Sequence, residues 1–399
     1  MKYEDLIDIK SKICSDYIKY YKNNGFEEFV AMPLYNKNDI TLDFTTCTVC
    51  TAKENIKENK KGKDYVMIQP ALRNTHIDVL RKADTDDYFF SFFSMMGGFK
   101  YYNNQIEYQK EFSELIKSEF DFLKKYNSYV LLTIPIQYND NLKIDDKVTK
   151  YLKTNGCGIK YSDNDEKNLK WKYGINNVVG YGTRWEIANG GDLVNWGNTI
   201  NVFVDGKPFG IDFGGGVESL MYSNLNLKNS IYANDAMIDN ARLFCCDDSM
   251  KEKMLDCIIS AMCIIANKPK IALRDKYILE IYMNLLSSYM TLSETNQSII
   301  SELVREINEN NIPFLHRENM KIIFEQYLEK TIKNQRIILN SDNMDKILNL
   351  VSLCYNGDEN WKNSKKIINS HFSKYFSNLS EVDLLALQKS KTKKKERKK

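Results

Sequence analysis

The sequence predicts an α+β protein in which a largely antiparallel sheet is flanked by helices and followed by a helical domain. Short runs rich in β-branched and aromatic residues recur between residues 26 and 213, separated by turn residues. Asp205-Gly206, set between two such runs, is a strong hairpin signal. From Asn234 onward strand signals nearly vanish, and Leu255, Ile258, Ile259, Met262 and Ile265 recur at helical spacing. Three regions follow: 1–230 holding the sheet, 231–388 helical, and a basic tail at 389–399.

The elements run in order. Leu6 to Asn23 carries Ile7, Ile9, Ile13, Tyr17, Ile18 and Tyr21 at helical spacing and stops at Asn24-Gly25, a helix-ending pair. Phe26 to Met32, Ile40 to Phe44, Val66 to Gln69 and Phe89 to Met96 are expected as strands. Glu107 to Lys125 forms a second amphipathic helix, and Val130 to Ile136, Val178 to Ile187, Thr199 to Val204 and Phe209 to Phe213 supply further strands. Polar clusters at Lys53 to Lys63 and Ser162 to Lys167 are expected as surface loops, and no internal repeat is present.

A chain of 399 residues at 43% apolar can bury a large core and divide into two or more domains. It has no run of eighteen apolar residues, and MKYEDLIDIK lacks the apolar region of a signal peptide, so a cytoplasmic protein without a membrane partner is expected. Nine cysteines include Cys47 and Cys50 as CxxC and the adjacent Cys245 and Cys246, but no second metal-spaced pair accompanies them. With His76, His316 and His371 as the only histidines, zinc is disfavoured and free thiols in a reducing compartment are expected. The net charge of +3 hides an asymmetry, because the last eleven residues hold eight basic groups and one glutamate, leaving about −4 on the body. Such a like-charged run cannot fold alone and is expected to be disordered, either attracting RNA or another polyanion or simply solubilising the chain.

Chemistry concentrates between Ile68 and Asn104, where a strand ending at Arg73 leads into a polar stretch and an aromatic-rich returning strand. That arrangement sets a fixed cation where a phosphate can bind and phenyl faces where a purine can stack. Phe90, Phe92 and Phe93 are the stacking candidates, one of them facing the site by strand alternation. Asp212 precedes Gly214, Gly215 and Gly216 and offers a carboxylate to a small cation, or else caps the following helix. The glycines permit close backbone approach to a ligand or make a turn. Glu218 is a candidate magnesium ligand or a first-turn carboxylate favoured by the helix dipole.

The order of Arg73, His76 and Asp78 followed by SFFSMMGGF at Ser91 to Phe99 resembles the second signature motif of alanyl-tRNA synthetases, TFFEMLGNF. Upstream, NKNDITLDFTT at Asn36 to Thr46 is similar to HNDPTLLFTN of that family. Downstream, DFGGGVESL at Asp212 to Leu220 resembles the third motif, DTGMGLERI, and NWGNTINVFV before it resembles EIWNIVFMQF. A fainter likeness continues to about Met290, about three quarters of the chain. The resemblance implies the class II synthetase fold and attack of an amino acid carboxylate on the α-phosphate of ATP, with magnesium, yielding an aminoacyl-adenylate and pyrophosphate. It implies Arg73 on the α-phosphate, Arg81 on the outer phosphates, the phenylalanines and Gly214 and Gly216 at ATP, Asp212 on the substrate ammonium, and Trp171 or Tyr173 as a wall of the amino acid pocket. Alanine, glycine or serine is the implied substrate.

Several positions depart from that pattern. The family's glutamate in the second motif is Ser94, and its γ-phosphate arginine in the third is Ser219, a neutral group that cannot replace a bidentate cation. The helix that meets the tRNA acceptor stem, RGYVLRRIIRRA in the family, aligns with DKYILEIYMNLL, with Glu280, Ile281, Asn284 and Leu285 at arginine positions. Carboxylate against phosphate is unfavourable, so standard acceptor-stem docking is not expected, nor is an editing domain of the family's kind. The expected function is activation of a small amino acid with ATP and transfer to an acceptor other than standard alanine tRNA, such as a carrier protein, a small molecule or an unusual RNA. The alternatives are a noncatalytic paralogue that senses an amino acid or nucleotide, favoured by the loss at Ser219, and a minimal alanine-tRNA ligase. The sequence leaves the oligomeric state open.

Overall fold

The computed structural model describes residues 3–35, 44–73, 91–163, 169–227, 248–267, 279, 282, 283, 285, 286, 294–310, 312 and 314–334. It is an α+β protein with a nine-stranded, mostly antiparallel sheet and, among the described residues, eight α-helices. The chain divides into two compact units, Met1–Arg73 with Asp87–Asp239, and Asn74–Asp86 with Asn240–Lys399.

In the first unit α1 (Tyr3–Asn23) ends as its sequence predicts. Gly25 takes a left-handed φ of 90°, and the Phe26 N–H reaches back to the Tyr21 carbonyl at 3.1 Å, closing the last turn. The strands are β1 (Glu27–Glu28), β2 (Tyr65–Leu72), β3 (Phe92–Tyr101), β4 (Val130–Pro135), β5 (Cys157–Ser162), β6 (Lys170–Trp171), β7 (Val178–Asn189), β8 (Asp192–Val204) and β9 (Lys207–Gly216). Their spatial order is β1-β2-β3-β9-β8-β7-β4-β5, with β6 added to β7. The β1–β2 and β4–β5 pairs are parallel and the others antiparallel. Asp205 and Gly206, both at positive φ, form the tight turn between β8 and β9.

Several expectations need correction. Phe26–Met32 yields only the two-residue β1, and β2, β3, β7, β8 and β9 extend beyond their apolar runs. Ile40 to Asp43 lies outside the described residues, as does most of the expected loop at Ser162–Lys167. Lys53 to Lys63 is not wholly loop: α2 (Lys53–Lys57) buries Ile56 on one side while its other positions stay polar. Also unanticipated are α4 (Asp146–Thr154), N-capped by Asp145 through the Lys147 N–H at 2.7 Å, and β5 after it.

The two faces of the sheet are packed differently. One carries α1, α3 (Tyr108–Leu123) and α5 (Val217–Asn224), whose Tyr17, Tyr21, Phe112, Phe120 and Leu220 form a core with Val66, Leu132, Trp185 and Phe213. Glu119 of α3 is fully buried in this layer, where the hydroxyls of Tyr17 and Tyr21 donate to it at 3.3 and 3.0 Å. Burial pushes its carboxyl up to about 8, against the opposing effect of those hydrogen bonds. On the opposite face Tyr65, Met67, Phe99, Ile200 and Val202 pack with Val49 and Tyr173.

In the second unit the described residues form α6 (Asp248–Asn267), α7 (Glu294–Glu309) and α8 (Met320–Asn334). Leu255, Ile258, Ile259, Met262 and Ile265 are all buried, as their spacing predicts. Arg317 donates to the Ile265 carbonyl at 2.7 Å, and Asn267 to those of Cys263 and Phe314 at 2.8 Å, satisfying the end of α6.

Candidate functional site

The face of the sheet opposite α1 and α3 gathers the candidate residues from separate segments. Side chains alternate along a strand, so Tyr65, Met67 and, one residue beyond the end of β2, Arg73 point to one side. Phe93, Met95 and Phe99 of β3 share that side. The Arg73 guanidinium lies 4.9 Å from the Phe93 ring centroid, its Nε donates to the Thr46 carbonyl at 3.1 Å, and a terminal nitrogen sits 3.8 Å from Met95 Sδ. It is partly buried, and no ion pair to it forms among the described residues. The alternation decides between two candidates: Phe93 stacks with Arg73, whereas Phe92 belongs to the opposite side. Phe90 and Arg81, with His76 and Asp78, lie outside the described residues.

Asp212 does not cap a helix. It sits within β9, paired with Ile200 and Phe99, and the helix that follows is N-capped by Gly216 without a side-chain bond. Its carboxyl is 7% exposed and accepts from the Tyr173 hydroxyl at 3.2 Å. Burial pushes the carboxyl well above the ordinary range, the nearby Cys47 adds to the shift, and Tyr173 and Arg73 pull against it. A ligand cation placed against Asp212 would favour its charged form. Burial likewise raises the Tyr65 and Tyr173 hydroxyls, with Asp212 reinforcing both.

Trp171 and Tyr173 stand over β7 where it lacks side chains. A Cβ at Gly182 would come within 2.4 Å of the Trp171 ring, and one at Gly180 within 2.9 Å of the Tyr173 hydroxyl. Both aromatics thus depend on a Gly-x-Gly step in the strand, visible in the sequence yet informative only once the strand's facing is known. The glycines at 214 to 216 are strand rather than turn. Gly214 has φ 138°, and a Cβ there would lie 2.2 Å from the Met96 carbonyl oxygen, so close strand packing accounts for its lack of a side chain.

Glu218 is on α5 and 4% exposed. Both its oxygens accept from the Ser94 N–H, at 3.1 and 2.9 Å, and Lys10 Nζ of α1 pairs with it at 3.0 Å. Ser94 is one residue past the last β3–β9 pair, Met95 with Gly216, so the carboxylate takes over where the neighbouring strand ends. A magnesium ion at Glu218 would have to displace Lys10, and among the described residues no group of three His, Cys, Asp or Glu side chains is placed to hold a metal. No described helix is long and apolar enough to cross a membrane.

Sequence reasoning left Cys47 and Cys50 as plain thiols. The structure brings them to the same cluster, Cys47 close enough to act on the charges of both Arg73 and Asp212. Of the acceptor-helix positions, Leu285 is 6% exposed, while Glu280, Ile281 and Asn284 lie outside the described side chains, as do residues 335–399 with the basic tail. Neither a scan against known protein families nor a search of curated proteins finds a match for the chain.

Proposed function

We propose that the first unit binds ATP and a small amino acid and joins them as an aminoacyl-adenylate, releasing pyrophosphate. The observation that carries this reading is the juxtaposition on one sheet face of Arg73, held by Thr46 and Phe93 and without an ion pair among the described residues, with the buried Asp212 carboxyl and its Tyr173 partner. The reaction asks the protein for no nucleophile: it needs the substrate carboxylate aligned on the α-phosphate and the developing charge cancelled. Arg73 would supply the cation and Phe93 the stacking face for the purine. Asp212 would bind the ammonium, and Trp171 and Tyr173 would bound a small side chain. The aminoacyl group would then pass to an RNA, carrier protein or small molecule.

Exchange of labelled pyrophosphate into ATP, screened over the amino acids with magnesium present, tests the proposal. Exchange with alanine, glycine or serine is expected. A second reading, a noncatalytic sensor of an amino acid or nucleotide, draws on Ser219, whose hydroxyl brings no charge to the third-motif position. Ligand binding without exchange would select it, and failure to bind ATP at millimolar nucleotide would discard the adenylate reading.

A further inference from the structure

Adenylate formation has no use for a thiol pair, yet one is built beside the site. Cys47 precedes the 3-10 turn Thr48–Thr51 in an extended conformation, and Cys50 is its third residue. The two sulfurs are 3.8 Å apart, in van der Waals contact. Cys47 is half-buried and Cys50 8% exposed, so the pair has one accessible member and one enclosed.

The surroundings favour a thiolate. Donation from Cys47 lowers the Cys50 thiol to about 7, helped by the charge of Lys53 and by the N–H groups of Thr46 and Cys47, against the cost of burial. Cys47 rises in turn, because a proton shared between the two is held on it. Arg73 stabilises negative charge on the pair. Elsewhere in the described residues burial pushes the Cys157 thiol up to about 12, outweighing the charge of Lys124, and raises those of Cys257 and Cys263. Of the described cysteines whose thiols are shifted, Cys50 is lowered, whereas Cys157, Cys257 and Cys263 are raised.

We propose that Cys47 and Cys50 are a redox-active dithiol that a small disulfide of the glutathione class oxidises to an intrachain disulfide. The thiolate of one cysteine attacks a sulfur of the small disulfide, forming a mixed disulfide and expelling one thiolate. The second cysteine gives up its proton, attacks the protein sulfur of that mixed disulfide and expels the other thiolate. Two cysteine thiols are oxidised and one disulfide is reduced to two thiols, so electrons and protons balance. The bond forms in the turn that follows Thr46, whose carbonyl holds Arg73, and it removes an ionisable group from beside Asp212. The chemistry of the pair does not depend on adenylate formation.

The full-length protein is incubated in glutathione buffers of stepped oxidised-to-reduced ratio, quenched with acid, unfolded, alkylated and digested for mass spectrometry. The expected result is that the peptide holding Cys47 and Cys50 becomes two hydrogens lighter and resists alkylation as the buffer becomes more oxidising, while Cys157, Cys257 and Cys263 remain alkylated. Cys47→Ser and Cys50→Ser are each expected to trap a glutathione adduct on the remaining sulfur in place of the internal bond. On native wild type, the pH profile of alkylation at this peptide should rise near 7. The proposal is overturned if the disulfide forms only after the chain is unfolded, or if alkylation rises only in the ordinary thiol range, about 8.5.

Discussion

Arg73 illustrates how one side chain can be positioned without being consumed. Its Nε bond to Thr46, its stacking on Phe93 and the contact of one terminal nitrogen with Met95 Sδ hold the guanidinium in place. Replacing it with alanine is expected to weaken adenylate formation by about 2 to 4 kcal/mol in transition-state terms, the usual cost of deleting a preorganised charge contact. Steady-state pyrophosphate exchange measures this, and an unchanged kcat/KM would remove Arg73 from the site. Asp212 makes a prediction of different form. Because burial raises the Asp212 carboxyl well above the ordinary range, an ammonium group bound against it favours the charged form and is expected to release a proton. Affinity for amino acids should therefore rise with pH up to the raised pKa, and calorimetry in buffers of differing ionisation enthalpy should register proton release. Asp212→Asn should abolish both the release and the preference for amino acids over matching deamino acids; equal discrimination by the two proteins would show that Asp212 does not meet the ammonium. Arg73 and Asp212 could be singled out from sequence because each is a charged residue beside a strand or glycine run and the motif resemblance marks both, whereas the resemblance alone points to Trp171 and Tyr173. The partner of Glu218 could not be singled out, since Lys10 lies two hundred residues upstream on another element.

Among the elements, α3 carries the most exposed liability, a glutamate buried beneath the sheet. Glu119 is protonated in the folded state up to about pH 8 but ionises near its usual value when unfolded, so between those pH values the folded chain binds the extra proton. Stability is then fully present at low pH and falls as pH rises toward 8, by at most about 1.4 kcal/mol per pH unit from this group. Glu119→Gln keeps an acceptor for Tyr17 and Tyr21 and should flatten that fall; urea unfolding at pH 5, 6.5 and 8 reads the slopes, and parallel slopes in the two proteins would contradict the assignment. α1, α3 and the β8–β9 hairpin were legible because each carries a local signature: helical spacing with a terminating glycine, or Asp-Gly between apolar runs. β5 was not. Its pattern alternates poorly, with Lys160 and Tyr161 exposed, and its pairing with β4 is parallel, set by the crossover through α4 rather than by a local turn. β9 ran longer than its apolar core because Gly214 to Gly216 pair with β3, a partner no local pattern names.

For the molecule as a whole, charge is distributed so that the body holds about −4 and the last eleven residues a surplus of positive charge. Any RNA affinity is accordingly expected to reside mainly in Lys389 to Lys399. Deleting this segment should remove most binding and flatten its salt dependence, by about 0.9 log unit per lost phosphate contact. Charging of alanine tRNA by the shortened protein would instead identify a minimal alanine-tRNA ligase. The strand order has a consequence in time. β3 lies between β2 and β9, and its pairing with β9 joins residues on the order of a hundred positions apart in the chain. Arg73 leaves the ribosome long before Asp212, and the strand that unites them cannot be flanked on both sides until β9 has been made. A nascent chain halted between Phe93 and Asp212 carries the cation and the phenyl face but neither the carboxyl nor a complete β9, so the arrangement is closed in one late step of synthesis rather than by degrees.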